Sequence, residues 1–425
     1  MFKIAAATLL ALGLAMPAVA EITAIRAGRV ITDAAQPARG ASTILVENGR
    51  IIEINDAAAA LPAGAKVIDL SGKTVMPGLI DAHVHLTGTP DSQFWQEAVT
   101  TDEYSVAVGL ANAATTLRAG FTTVRDLGSG RLSGFAVRDA IANGIATGPR
   151  TLVSGPAISI IGGHGDVSGY RPEVNAALAM GNTCTGAEQC AARVREASRA
   201  GVDVIKITAT GGVLSQQARG LGQHFTDAEM RAIVTTAHGL GLKVAAHAHG
   251  ARGIEAAANA GVDSIEHGTF ADAAAIQAMV ANKTWYVPTL MAMVGIEERL
   301  GKGTYTPVVE AKIRETLAQR GKALAAAIKA GVRIAYGTDS AVYAHGRNGE
   351  EAAQMVKYAG MSPRAVLVSA TSGAAELLGV AAETSTLAVG KSADLIAVDG
   401  DPLSDVSVVE KPQFVMVKGK SIALQ

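Results

Sequence analysis

Two histidines separated by one residue, His83 and His85, end an apolar run that begins at Val75. In a β-strand residues i and i+2 face the same side. Both imidazoles can therefore converge on one metal ion, as His-rich zinc sites require. Similar groups end other apolar runs downstream. His164 lies in Gly162-Gly163-His164-Gly165-Asp166, and Lys206 sits inside Val202-Asp203-Val204-Ile205-Lys206-Ile207. His247 and His249 end the next run, Glu266 and His267 the one after, and Asp339 a later one, Thr338-Asp339-Ser340. Of the 9 histidines in the chain, six fall at such ends. A lone histidine there is more often a satisfied core residue, but this number, with an aspartate and a lysine in apolar surroundings, argues for a site.

The elements that must position these residues alternate. Strand candidates start near Val75, Phe121, Thr151, Val202, Leu242, Val262, Trp285 and Val332, and Ala-rich amphipathic segments such as 188–200 and 227–239 separate them. Repeated strand–helix units predict parallel strands with right-handed crossovers. The expected class is α/β, a (β/α)8 TIM barrel, whose chemistry sits at the C-terminal ends of its strands. A doubly wound sheet is the alternative, and no Gly-rich phosphate loop follows the first strand to favour it. Residues 22–70 and 393–420 read instead as short β segments, with Asn48-Gly49 as a hairpin turn. The expected division is a barrel over 75–384 and a small β-sandwich built from 21–74 and 385–425.

Composition removes several function classes. Lys+Arg 37 against Asp+Glu 38 gives no electrostatic reason for nucleic acid or an anionic membrane. Aromatics at 4% and the absence of a basic cluster exclude the pattern of a nucleic-acid binder. At the N-terminus, Lys3, the apolar run from Ala5 to Met16 and Ala18-Val19-Ala20 form a signal-peptide pattern over 1–20. The apolar run is shorter than the ~20 residues of a spanning helix. The expectation is a periplasmic or secreted protein, free of the membrane after cleavage before Glu21. In such a compartment Cys184 and Cys190 are expected to form a local disulfide. Oligomeric state is not legible, and a homo-oligomer stays open.

The strand-end residues, taken in order, resemble those of the amidohydrolase superfamily. Within it they are most similar to the branch of imidazolonepropionase-like proteins, prolidase-like dipeptidases and ochratoxin-hydrolysing amidases. The resemblance covers the mature chain, and it implies two divalent metal ions, with zinc suiting the mixed donor set. It implies that His83, His85 and Asp339 hold the more buried ion and His247 and His267 the other. Lys206 would be carboxylated and bridge the two. Two cations a few Å apart repel and need an anionic bridge, and a desolvated lysine near cations loses its proton readily. Asp339 would act as general base and then acid. His164 would steady the oxyanion or touch the substrate.

Substrate selection is less legible. The segment from Thr210 through Phe225 resembles the family's substrate loop, and in it Arg219 or His224 could meet a free carboxylate. His345 lies on the loop after the last strand and is a further substrate candidate. His249 is expected to support the site from outside the ligand set, and Glu266 to face away from it. The leading expectation is a hydrolase of dipeptides such as Xaa-Pro, of N-acyl amino acids, or of ochratoxin-like amides. A cyclic-amide or lactone hydrolase on the same metals is the alternative. A non-catalytic binding protein on a degenerate barrel would have lost one of the six metal-binding positions, and none is missing.

Overall fold

Strand-forming residues at both chain ends meet in one sheet. The computed structural model describes residues 21–90, 94–215 and 220–424, so the expected signal peptide and Arg219 lie outside the described residues. The first four strands are β1 (Thr23–Val30), β2 (Ser42–Glu47), β3 (Arg50–Asp56) and β4 (Lys66–Pro77). β1 pairs antiparallel with β2 and parallel with β4. Asn48 (φ 50°) and Gly49 (φ 78°) make the turn between β2 and β3, both left-handed as a two-residue hairpin of type I′ requires.

Beyond Gly78 the character changes to buried parallel strands. β5 (Leu79–Val84), β6 (Phe121–Asp126) and β7 (Arg150–Val153) form one parallel set. A second contains β8 (Val204–Thr208), β9 (Lys243–Ala248), β10 (Ser264–His267) and β11 (Trp285–Val287). Helices Asp102–Arg118, Ser133–Ala142, Ala187–Ala200, Asp227–Gly239, Ala251–Ala260 and Ala273–Ala281 alternate with them. Parallel bridges join the sets, Ile158 to Ile207 on one side and Tyr286 to Ile334 on the other. A last bridge, Val84 to Ser340, brings the pairing back to β5, so the parallel contacts close into a ring. The expected last strand is not a ladder. It contributes bridges and single hydrogen bonds such as Ala82 N to Tyr336 O at 2.9 Å, and Asp339 leaves the extended region at φ 61°.

The chain then returns to the terminal sheet with β12 (Leu395–Val398), β13 (Phe414–Val417) and β14 (Lys420–Ile422). The sheet order is β14-β13-β12-β4-β1-β2-β3. The described strands of both chain ends thus hydrogen-bond in one continuous order. The reason is β4, which pairs on one edge with β1 and on the other with β12, joining the two halves. Ile25, Ile44, Val46, Ile51, Val75, Leu395 and Met416 are buried together there. No helix among the described residues is long and apolar enough to cross a membrane.

The stretch after β11 carries three helices, Leu290–Arg299, Pro307–Leu317 and Lys322–Lys329. Ile296, Val309 and Ile313 of the first two pack with Val213 from the loop after β8. The pair thereby braces that loop.

Asp81 fastens the ring where the ladder is missing. Wholly buried, it accepts the His83 and Thr338 N–H groups, the Thr338 hydroxyl at 2.6 Å and the Asn348 amide at 2.8 Å. Burial nevertheless pushes its carboxyl up to about 6, against those four hydrogen bonds. Removing it strands buried donors, each at a cost of about 1–3 kcal/mol. Asp81→Ala is therefore predicted to lower the unfolding free energy in urea by at least about 2 kcal/mol. An unchanged midpoint and slope would show that the closure does not depend on this carboxylate.

Candidate metal and catalytic site

The ring gathers six histidines, one lysine and one aspartate at the C-terminal ends of its strands. His83, at 1% exposure, directs Nδ1 to Glu266 Oε2 at 2.8 Å. His85 directs Nδ1 to the Gly128 carbonyl at 2.9 Å. Their Nε2 atoms lie 3.5 Å and 3.2 Å from Asp339 Oδ1. The i, i+2 register of β5 thus brings both rings to one carboxylate. Burial alone would raise the Asp339 pKa, but His83, His85 and His267 overcome it and hold the carboxyl well below its ordinary range. It is ionised at neutral pH and available as a ligand or proton acceptor.

A second group faces the first. His247, His249 and His267 bring one ligand atom each within 4.8 Å of one another, as do His83, His85 and Asp339. The His83 and His267 ring centroids are 5.0 Å apart. His247 contacts the Gly211 carbonyl through Nε2 at 3.3 Å, leaving Nδ1 for a ligand. His249 and His267 direct Nδ1 to Thr269 Oγ1 at 2.9 Å and Thr289 Oγ1 at 2.7 Å, leaving Nε2. Desolvation depresses these imidazoles, His83 and His249 each to about 4, so they are neutral ligands at pH 7.

Lys206 lies buried in β8, and its charge also depresses His83, His247, His249 and His267. It therefore stands within electrostatic reach of both groups. Burial pulls its own amine down to about 8. The donor set fits two metal ions: imidazoles each fixed at one nitrogen, an ionised carboxylate, and a lysine with a weakened hold on its proton. In such a pattern the partner on the far nitrogen sets tautomer and ring orientation.

Several supporting residues are not visible in the sequence pattern. Glu266 and His267 are adjacent, and a regular strand would send them to opposite faces. His267 has φ 70°, which breaks the alternation and lets both act at the site. Glu266 sits behind His83, paired with Arg125 at 2.9 Å, and these charges hold it far down, to about 2, in spite of burial. Thr289, the residue before helix Leu290–Arg299, also adopts a left-handed φ of 51°, and its hydroxyl oxygen meets His267 Nδ1 rather than capping its own helix. Glu351, from helix Glu350–Ala359, caps that helix instead, accepting Leu290 N at 2.9 Å and Met291 N at 2.6 Å.

The remaining candidates divide. His164 packs against His247 in a tilted arrangement with centroids 4.2 Å apart and directs Nδ1 to Ser215 Oγ at 2.6 Å. Burial drives it down to about 3, so it is neutral. His224 lies near the Gly211 backbone, where an added Cβ would meet its Nε2 at 3.4 Å. His345 contacts Gly88 O at 3.3 Å and Thr116 Oγ1 at 3.4 Å, tying its loop to the one after β5. Cys184 and Cys190 are disulfide-bonded and buried, with Cα atoms 5.0 Å apart. The bonded segment adjoins the His164 loop, because Cys184 N donates to Ser159 O and Asn182 Nδ2 to Gly165 O. His238 stands apart, with Asp263 at 2.9 Å.

Residues 74–422 match the family model described as the amidohydrolase family. The chain belongs to this family. Ochratoxinase from Aspergillus niger is 32% identical over 417 residues, covering 93% of this chain and 85% of its own. A crystal structure of a Xaa-Pro dipeptidase with methionine bound in its active site superposes with a TM-score of 0.86 at 35% identity, covering 94% of this chain and 99% of its own. A prolidase complexed with N-methylphosphonate-L-proline gives 0.86 at 31%, covering 95% and 100%. Amidohydrolases of this kind have a TIM-barrel-type fold with a separate domain and depend on metal. The chain is a hydrolase acting on amide or peptide bonds.

The Glu266–Arg125 ion pair is almost wholly buried. Glu266→Ala leaves the Arg125 guanidinium without its carboxylate, a change that costs about 3–5 kcal/mol. Urea denaturation is expected to show a loss of that size, and a smaller one for Glu266→Gln, which keeps an acceptor oxygen. Equal stability of wild type and Glu266→Ala would contradict the pairing.

Proposed function

We propose that the chain is an exported binuclear amidohydrolase that cleaves small amides carrying a free carboxylate, on a (β/α)8 barrel. The observation that carries this reading is the pair of facing ligand groups with Lys206 in electrostatic reach of both. His83, His85 and Asp339 would hold one ion and His247 and His267 the other, with zinc suited to these donors. The Lys206 amine would add carbon dioxide, forming an N–C bond and releasing one proton, and the carbamate oxygens would bridge the two ions. When bound, the ions polarise the amide carbonyl and acidify water.

The chain's own residues do the rest. Asp339 Oδ accepts the proton of the attacking water and delivers it to the leaving nitrogen, as general base and then acid. Glu266 and Thr289 keep His83 and His267 in one orientation through their Nδ1 atoms. His164, neutral and held by Ser215, is placed to donate Nε2–H to the developing oxyanion. The similarity to ochratoxinase, to a Xaa-Pro dipeptidase and to a prolidase supports N-acyl amino acids and dipeptides, Xaa-Pro among them, as the substrate class. Arg219 and His224 remain proposed contacts of the substrate on the loop after β8. The pattern of residues 1–20 supports export to the periplasm or beyond.

Turnover of a dipeptide and N-acyl-amino-acid library by metal-loaded protein tests this reading. Hydrolysis of at least one chemical subset is expected, together with loss of both activity and bound metal in Lys206→Ala. Two bound metals with no member hydrolysed would overturn the substrate class, and full metal content and activity in Lys206→Ala would overturn the bridge.

A further inference from the structure

The loop over the second histidine group is held by a lysine from a distant helix. Lys312, in helix Pro307–Leu317, is 7% exposed, and its Nζ donates to Gly212 O at 2.9 Å and to Ser215 O at 2.6 Å. Those two residues frame the site: Gly211 O meets His247, Ser215 Oγ meets His164 Nδ1, and a Cβ on Gly212 would strike the His164 ring at 2.2 Å. The ammonium thus binds one residue, Ser215, that itself touches a site histidine, and another, Gly212, next to the Gly211 carbonyl that meets His247. Its charge also contributes to depressing His249, so its field reaches the ligand groups.

What Lys312 lacks is a counter-ion. The other lysine buried to this degree, Lys206, feels Glu266, Asp339 and Asp126. Lys312 has no carboxylate within 4.0 Å among the described residues, and burial alone acts on its amine. Backbone carbonyls occupy two of its three N–H donors, and a buried charge without a partner is costly. Acidic side chains are abundant in the chain, so the uncompensated cation beside the active site is a local feature.

We propose that Lys312 is the specificity-determining cation that recognises the free carboxylate of the substrate, which supplies its missing counter-ion. This deepens the function proposed above and rests on it. The cation selects amides that carry a carboxylate on the leaving portion over the same compounds with that group blocked. It also links selection to catalysis, because the loop carbonyls that hold Lys312 belong to the segment that orients His164. A substrate carboxylate drawn to this ammonium would seat against the segment that holds the oxyanion donor.

The test compares N-acyl amino acids with their C-terminal carboxamides on one metal-loaded preparation, so that general losses cancel in the ratio. A hydrogen bond to a charged group is worth about 1.5–3 kcal/mol, or roughly ten- to hundred-fold. The wild type is expected to favour the acid in kcat/KM by about that factor. Lys312→Met should abolish the preference: any loss of loop support slows both compounds alike, and the acid alone loses the further roughly ten- to hundred-fold, chiefly through KM. Lys312→Arg should restore part of it. If Lys312→Met slows acid and carboxamide equally, the lysine only braces the loop and the proposal falls. No wild-type preference for the acid would also overturn it while leaving amide hydrolysis standing. Turnover of neither compound by the wild type would remove the underlying function as well. Equilibrium binding of an N-acyl D-amino acid to the same proteins gives a readout independent of turnover. Weaker binding in Lys312→Met, with the D-carboxamide unchanged, is the expected result, and equal binding of the D-acid by both proteins would contradict it.

Discussion

Six imidazoles, four of them buried and two partly exposed, can crowd side by side only if each has a fixed partner on one nitrogen. A buried polar group without a hydrogen bond is costly, and here each ring meets that requirement away from the centre: His83 on Glu266, His85 on Gly128, His164 on Ser215, His247 on Gly211, His249 on Thr269 and His267 on Thr289. The same contacts set which nitrogen faces inward. Desolvation depresses His83, His164, His247, His249 and His267 and keeps those rings neutral, the state a metal requires. The ligand geometry is therefore a consequence of how the scaffold satisfies its own buried histidines.

That constraint accounts for features that look irregular as fold. Left-handed backbone at His267, Thr289 and Asp339 interrupts the strands or helix that carry them. Such conformations in residues other than glycine cost about 1–3 kcal/mol and persist where surrounding structure determines them. Each one here turns a side chain toward the site. The fully buried carboxylates do the determining: Asp81 gathers the segment around Asp339, Glu266 holds β10 against β5, and Glu351 caps the helix that Thr289 leaves uncapped.

Much of the site was legible from spacing. The i, i+2 pair His83 and His85, the lysine inside an apolar run and Asp339 at a strand end are local patterns, and the structure brings them together as a parallel ring must. Glu266 and His267 were not legible as a pair, because two-residue alternation assigns adjacent residues to opposite faces and nothing local announces a positive φ. His249, expected outside the ligand set, brings a ring nitrogen within 4.8 Å of those of His247 and His267, since i and i+2 share a face at the end of β9 as they do at the end of β5. Lys312 and Glu351 act across long stretches of chain, on helices whose sequence pattern is that of ordinary amphipathic segments. In the terminal domain the strands were legible, but the pairing of β4 with β1 on one edge and with β12 on the other is a tertiary fact that no local pattern announces.

The central claim is that two metal ions act together at the facing ligand groups. The direct measurement is a titration of metal-free protein with zinc, following hydrolysis of an N-acyl amino acid turned over by the loaded enzyme, with bicarbonate present. The account predicts that activity rises until two equivalents per chain are bound and then stays level. Full activity at one equivalent, with the second bound or not, would contradict it.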